Sequence, residues 1–178
     1  KVVIKKEKMD NVVMEAKRAT GLKETFLGSN TGSVITEVNA YVISVPEESE
    51  YQGINNIVFT TRFNEEDKKA LKKVLKLAKL FNAKVHCLYV KTKKTNVNDV
   101  IIQDWKFIFK DDHVEFHIIE AENVQQTILN FTNTYEIDLL AMLNHKRSFF
   151  EELFRQSLTQ KLSYHLQVPL LAIHEDAM

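Results

Sequence analysis

Thr60, Thr61, Asn144, His145, Lys146, Arg147 and Ser157 are the side chains whose types could do chemistry together. Three hydroxyls and an amide beside the run His145-Lys146-Arg147 offer hydrogen-bond donors and positive charge to an anion such as phosphate, although basic loop residues are more often simply solvated. The histidines raise a second possibility, because His86, Cys87, His113 and His117 carry metal-ligating atoms. Their spacing argues against it. His113 and His117 fall in a strand pattern, and neither a Cys-x-x-Cys pair nor a helical His-x-x-x-His is present, so no metal is expected. Cys87, inside the apolar run VHCLYV, reads as a buried thiol of low reactivity. No nucleophile elbow, Walker lysine or carboxylate pair at a motif spacing occurs, so neither catalysis nor a catalytic residue is expected.

The elements that would position these residues alternate. Ile57–Thr61 is a strand, and Asn64 caps the helix that follows, with Glu65, Glu66 and Asp67 in its first turn where the helix dipole favours them. Leu71, Val74, Leu75, Ala78 and Phe81 make its buried stripe, and Asn82 its C-cap. Val85–Val90 is a strand, Asn98–Lys110 a helix carrying Ile101, Trp105 and Ile108, Val114–Glu120 a strand, and Asn123–Glu136 a helix. The last paragraph of the chain, Asp138–His174, repeats the pattern of Asp10–Pro46: an apolar strand, a loop, a helix and a second apolar strand. Without gaps Asp10 falls on Asp138, Met14 on Met142, Glu24 on Glu152 and Ser29 on Ser157. A repeat this long means two copies of a domain, since solenoid periods run to roughly 20–50 residues.

Strands alternating with helices predict a Rossmann-like, doubly wound α/β domain with a five-stranded parallel sheet, preceded by a partial copy of the same domain. The expected boundaries are 1–46 for the partial copy, 47–56 for a linker and 57–178 for the complete one. Only three residues separate Lys6 from Asp10, where the second copy has a whole helix. Either the first copy has lost that helix and everything before it, or residues are missing there and before Lys1; the second is favoured, because a lone strand-helix-strand cannot bury both faces of a sheet, and the parent is then a tandem of two domains. In such a sheet a ligand sits at the carboxyl ends of the strands, which is where Thr61, Asn144, His145 and Ser157 would converge.

Composition narrows the function classes. Of 178 residues 44% are hydrophobic and 27% charged, and 24 Lys+Arg balance 24 Asp+Glu, so no global field favours nucleic acid or an anionic membrane. Lys68, Lys69, Lys72, Lys73, Lys76 and Lys79 make one helix face basic without interleaved aromatics, which reads as a solvated face. A single cysteine rules out an internal disulfide and fits the cytoplasm. No apolar run approaches the roughly 18 residues of a membrane span.

The segment GLKETFLGSNTGSVI, between a strand ending in Met14 and one ending in Pro46, resembles the signature region of the universal stress protein family. The resemblance implies a Rossmann-like fold, tandem members, and association through the last strand, here Val168–Ile173. Members that bind ATP carry a glycine, two residues, a glycine, nine residues, then Gly-Ser or Gly-Thr. In the first copy the early glycines fall at Glu15 and Arg18, while Gly28-Ser29 is retained. In the second they fall at Leu143 and Lys146, and the late pair becomes Gln156-Ser157. Where the family has an Asp after the first strand, in a sequence resembling Pro-Thr-Asp-Phe-Ser, this chain has Arg62 within Thr60-Thr61-Arg62-Phe63-Asn64.

These departures imply a non-catalytic stress-response protein that acts through protein partners or self-association, with ATP binding lost in the second copy and no cofactor. The rival reading is an ATP- or AMP-binding regulator with its site at Gly28, Ser29 and Asn30. A weak nucleotide hydrolase is a third.

Overall fold

The computed structural model describes residues 11–16, 40–46, 49–93, 95, 97–144 and 168–174. Among them are seven strands and three helices, and the chain divides into two compact units, residues 52–141 and residues 1–51 with 142–178. The fold is α/β, with mostly parallel pairing.

In the unit of residues 52–141, strand β3 (Asn56–Thr60) leads into helix α1 (Glu65–Phe81), β4 (Lys84–Lys91), α2 (Asp99–Ile108), β5 (Val114–Glu120) and α3 (Val124–Thr134). Strand β6 (Leu139–Asn144) begins in the same unit. β4 is the central strand, parallel to β3 through pairs such as Ile57↔Val85 and to β5 through Cys87↔Phe116. Val85–Val90 are all buried, so both faces of β4 are covered, as continuous apolar strands require. The backbone of Asn55 and Asn56 donates to Asp138 Oδ2 at 2.7 and 2.8 Å, and the Asp138 amide returns a bond to the Asn56 carbonyl at 2.9 Å. One carboxylate thus fixes where β6 enters beside β3.

The caps are those expected of asparagine. Asn64 is extended and its side chain accepts from the Asp67 amide at 2.7 Å, while Asn82 closes α1 in the left-handed region at φ 54°. Asn98 and Asn123 cap α2 and α3 in the same way, at 3.0 Å each. Two stripes are phased differently from their sequence reading. Phe81 is 40% exposed, because it ends α1 just where the chain turns away at Asn82. On α2 the inward residues are Ile102, Trp105 and then Phe109, so Ile101 and Ile108 face outward. Phe107, also on α2, is exposed.

In the other unit, β1 (Asn11–Ala16) lies parallel to β2 (Tyr41–Pro46), with Asn11 opposite Tyr41 and Met14 opposite Ser44. β2 pairs antiparallel with β7 (Leu170–His174) through Val42↔Ala172, Ile43↔Leu171 and Ser44↔Leu170. β1 and β6 coincide residue for residue under the repeat, and β2 and β7 within one residue. The last strands of the two repeats are therefore hydrogen-bonded to each other, and β2 occupies an edge of β7 that would otherwise be open to another chain.

Candidate functional site

Two clusters of polar side chains stand out in the unit of residues 52–141. The first lies where the chain leaves β3. Thr61 extends the strand by one bond, its amide donating to the Leu88 carbonyl at 2.9 Å. Its hydroxyl then donates to Asp67 Oδ2 at 3.1 Å and accepts from the Phe63 amide at 2.8 Å. The Arg62 amide donates to the same Asp67 oxygen at 2.5 Å. Asp67 is only 1% exposed, so this carboxylate is an internal anchor that ties the loop to the first turn of α1. Phe63 has φ 59°, a conformation rare for an aromatic residue and costly by about 1–3 kcal/mol. Burial holds it there, with the ring edge-on to Trp105 at 4.9 Å and to Tyr89 at 5.4 Å.

Of the ligand-contact residues expected from the sequence, Thr61 is thus buried and its hydroxyl is engaged on both sides within the loop. Asn144 ends β6, and nothing is described of its side chain. His145, Ser157, Gly28, Ser29 and Asn30 lie outside the described residues, as do Lys146 and Arg147. The role of Asp67 was missed: three acidic residues in a first turn look alike in sequence, and only packing against Thr61 separates the buried one from its neighbours.

The second cluster lies on the opposite face of β4. His86 Nδ1 is 3.1 Å from His117 Nε2 on β5, and His117 Nε2 is 3.8 Å from Glu115 Oε1. Asn56 donates its amide NH2 to the Glu136 carbonyl at 3.5 Å, which turns its Oδ1 toward His86 Nε2 at 3.4 Å. Phe131 and Tyr135 on and just after α3 stack at 4.1 Å and stand at an angle against both imidazoles. Lys84 pairs with the other oxygen of Glu115 at 2.5 Å. Burial, then the His117 charge, pushes His86 down to about 4 from its ordinary value. His117 is lowered too, again chiefly by burial, so both rings are neutral near pH 7. Cys87 points to the other face, fully buried, with its thiol pushed well up by burial and by the Asp67 charge. His113 is exposed and adds only a minor push on His86. Strand alternation could have signalled Glu115 and His117 on one face; the offset that brings His86 beside them is set by the β4–β5 register.

Comparison with known proteins adds the family evidence. Residues 108–174 match the model of the universal stress protein family. Solved structures agree. A universal stress protein from Archaeoglobus fulgidus DSM 4304 aligns at TM-score 0.73 and 14% identity, covering 97% of this chain and 63% of its own. A functionally unknown protein from Pseudomonas aeruginosa PAO1 aligns at TM-score 0.68 and 11% identity, covering 97% of this chain and 66% of its own. A universal stress protein crystallised in complex with cAMP aligns at TM-score 0.52 and 14% identity, over 70% of this chain and 99% of its own. Together these findings support the universal stress protein family, and at such identities the structural likeness speaks for the fold alone. The chain spans less than two thirds of the length of the first two structures. No curated protein matches it.

Proposed function

We propose that this chain is part of a tandem universal stress protein that acts in the cytoplasm without catalysis, through contacts with other proteins, and that its C-terminal copy does not take ATP in the family's manner. The observation that carries this reading is the loop after β3. In the family pattern that loop offers an Asp, whereas here Arg62 stands in its place and the neighbouring Thr61 hydroxyl is spent on Asp67 and Phe63. A nucleotide could recruit Thr61 only by breaking a buried network, at about 1–3 kcal/mol for each group left unpaired. The antiparallel β2–β7 pairing supports association of the two copies with each other through their last strands, so self-association belongs to the repeat within one chain.

A second reading has one specific observation in its favour. A structural neighbour was crystallised in complex with cAMP, so adenine nucleotides such as ATP or AMP are the ligands to try, with Gly28, Ser29 and Asn30 of the first copy as the expected contacts. Native mass spectrometry of the protein mixed with ATP, AMP and cAMP separates the two. Unmodified mass with all three supports the scaffold; a stable adduct of one nucleotide per chain supports the regulator.

A further inference from the structure

The second cluster does not take part in the nucleotide question, and its geometry has a direction of its own. We infer that His86, Glu115 and His117 form a binding site for a divalent transition-metal ion of the zinc type, with one coordination position left for water or a ligand. The three ligating atoms all lie within 4.8 Å of one another. Zinc bonds to imidazole nitrogen at about 2.0–2.1 Å, which in a tetrahedron sets the two nitrogens about 3.3 Å apart. His86 Nδ1 and His117 Nε2 stand at 3.1 Å, so a shift of a few tenths of an ångström admits the ion. Glu115 turns Oε1 toward the same nitrogen of His117 and leaves Oε2 to Lys84, so one carboxylate oxygen faces the site.

The surroundings are those a metal centre uses. A ligating imidazole ordinarily gives its second nitrogen to a carbonyl or carboxylate, which fixes the tautomer. Asn56 Oδ1 does this for His86, accepting from Nε2–H and leaving the Nδ1 lone pair for the ion. In the metal-free protein that lone pair accepts from His117 Nε2–H. Metal binding needs only the other neutral tautomer of His117, its proton moving from Nε2 to Nδ1, with no net proton released. Phe131 and Tyr135 form an apolar wall behind the rings, and Glu115, 49% exposed, opens a path from solvent. Two neutral imidazoles and one carboxylate suit zinc, with nickel and cobalt as close substitutes. The ammonium of Lys84 opposes the ion, so its removal should tighten binding.

The test is zinc retention by the full chain. Protein stripped with a chelator is equilibrated with graded free Zn²⁺ and its metal content measured, with Co²⁺ as a spectroscopic stand-in. His86 lies too deep for a clean deletion, so the exposed Glu115→Gln and the less deeply buried His117→Gln carry the comparison, with His113→Gln as control. Expected are one ion per chain, visible d–d absorption of tetrahedral type for Co²⁺, at least tenfold weaker binding in Glu115→Gln and His117→Gln, no weakening in His113→Gln, which supplies no ligand atom, and severalfold tighter binding in Lys84→Gln. No retention at micromolar free zinc, or retention that Glu115→Gln and His117→Gln leave unchanged, overturns the site.

Discussion

Replacing Asp67 with alanine should cost far more than its place in a solvent-facing first turn of acidic residues suggests. The carboxylate accepts from the Thr61 hydroxyl and the Arg62 amide, and it is buried to 1%. Hydrogen bonds to a charged acceptor are worth about 1.5–3 kcal/mol each. The favourable position near the helix N-terminus adds about 0.3–1 kcal/mol. Asp67→Ala should therefore lose about 3–7 kcal/mol, a large part of the 5–15 kcal/mol that holds an ordinary domain together. The matched control is Glu65→Ala, whose carboxylate is 72% exposed and pairs with Lys68 across one turn; exposed pairs of this kind contribute up to about 1 kcal/mol. Urea unfolding of the two variants beside the unsubstituted chain gives the comparison directly. At a typical slope the Asp67→Ala midpoint should fall by more than about 1 M while Glu65→Ala stays near the parent. If Asp67→Ala unfolds with Glu65→Ala, the loop is not anchored by this carboxylate, and the argument that Thr61 is unavailable to a ligand falls with it.

Two further outcomes follow from the same unit. With chelator present, acid should destabilise the protein before its carboxylates titrate: His86 is held down to about 4 in the fold by burial and by His117, Lys84 and His113, against the opposing pull of Glu115. The unfolded chain takes up that proton near pH 6.5, so stability is full above this value and falls by about 2–4 kcal/mol toward pH 4, in the same sense as His117. A urea midpoint that stays flat between pH 7 and 4.5 would contradict it. Cys87, fully buried with a raised thiol pKa, should resist an aromatic disulfide reagent in the native protein and react at once in denaturant; rapid native labelling would place the thiol elsewhere.

Local signals carried much of the fold. Asn64, Asn82, Asn98 and Asn123 sit where helices start or stop, because a short polar side chain satisfies end groups that apolar residues cannot. The repeat placed β1 on β6 and β2 on β7, because both copies need the same apolar strands. Helix phase was less legible: on α2 nearly every position from Val100 to Phe109 that could face inward is apolar, so periodicity alone did not choose Ile102 and Phe109 over Ile101 and Ile108. Long-range partners were not legible at all. His86 and His117 are brought together by register, and Asp67 is distinguished from Glu65 and Glu66 by what lies opposite it.

The central claim is that the C-terminal copy has set aside the family's nucleotide pose, and calorimetric titration of ATP into the Arg62→Asp variant beside the unsubstituted chain tests it most directly. No saturable heat at millimolar ATP is expected for either protein, because one added carboxylate does not free Thr61 from Asp67. Saturable binding to the unsubstituted chain that is lost on Thr61→Val would contradict it, since the hydroxyl assigned here to the loop would then be holding the nucleotide.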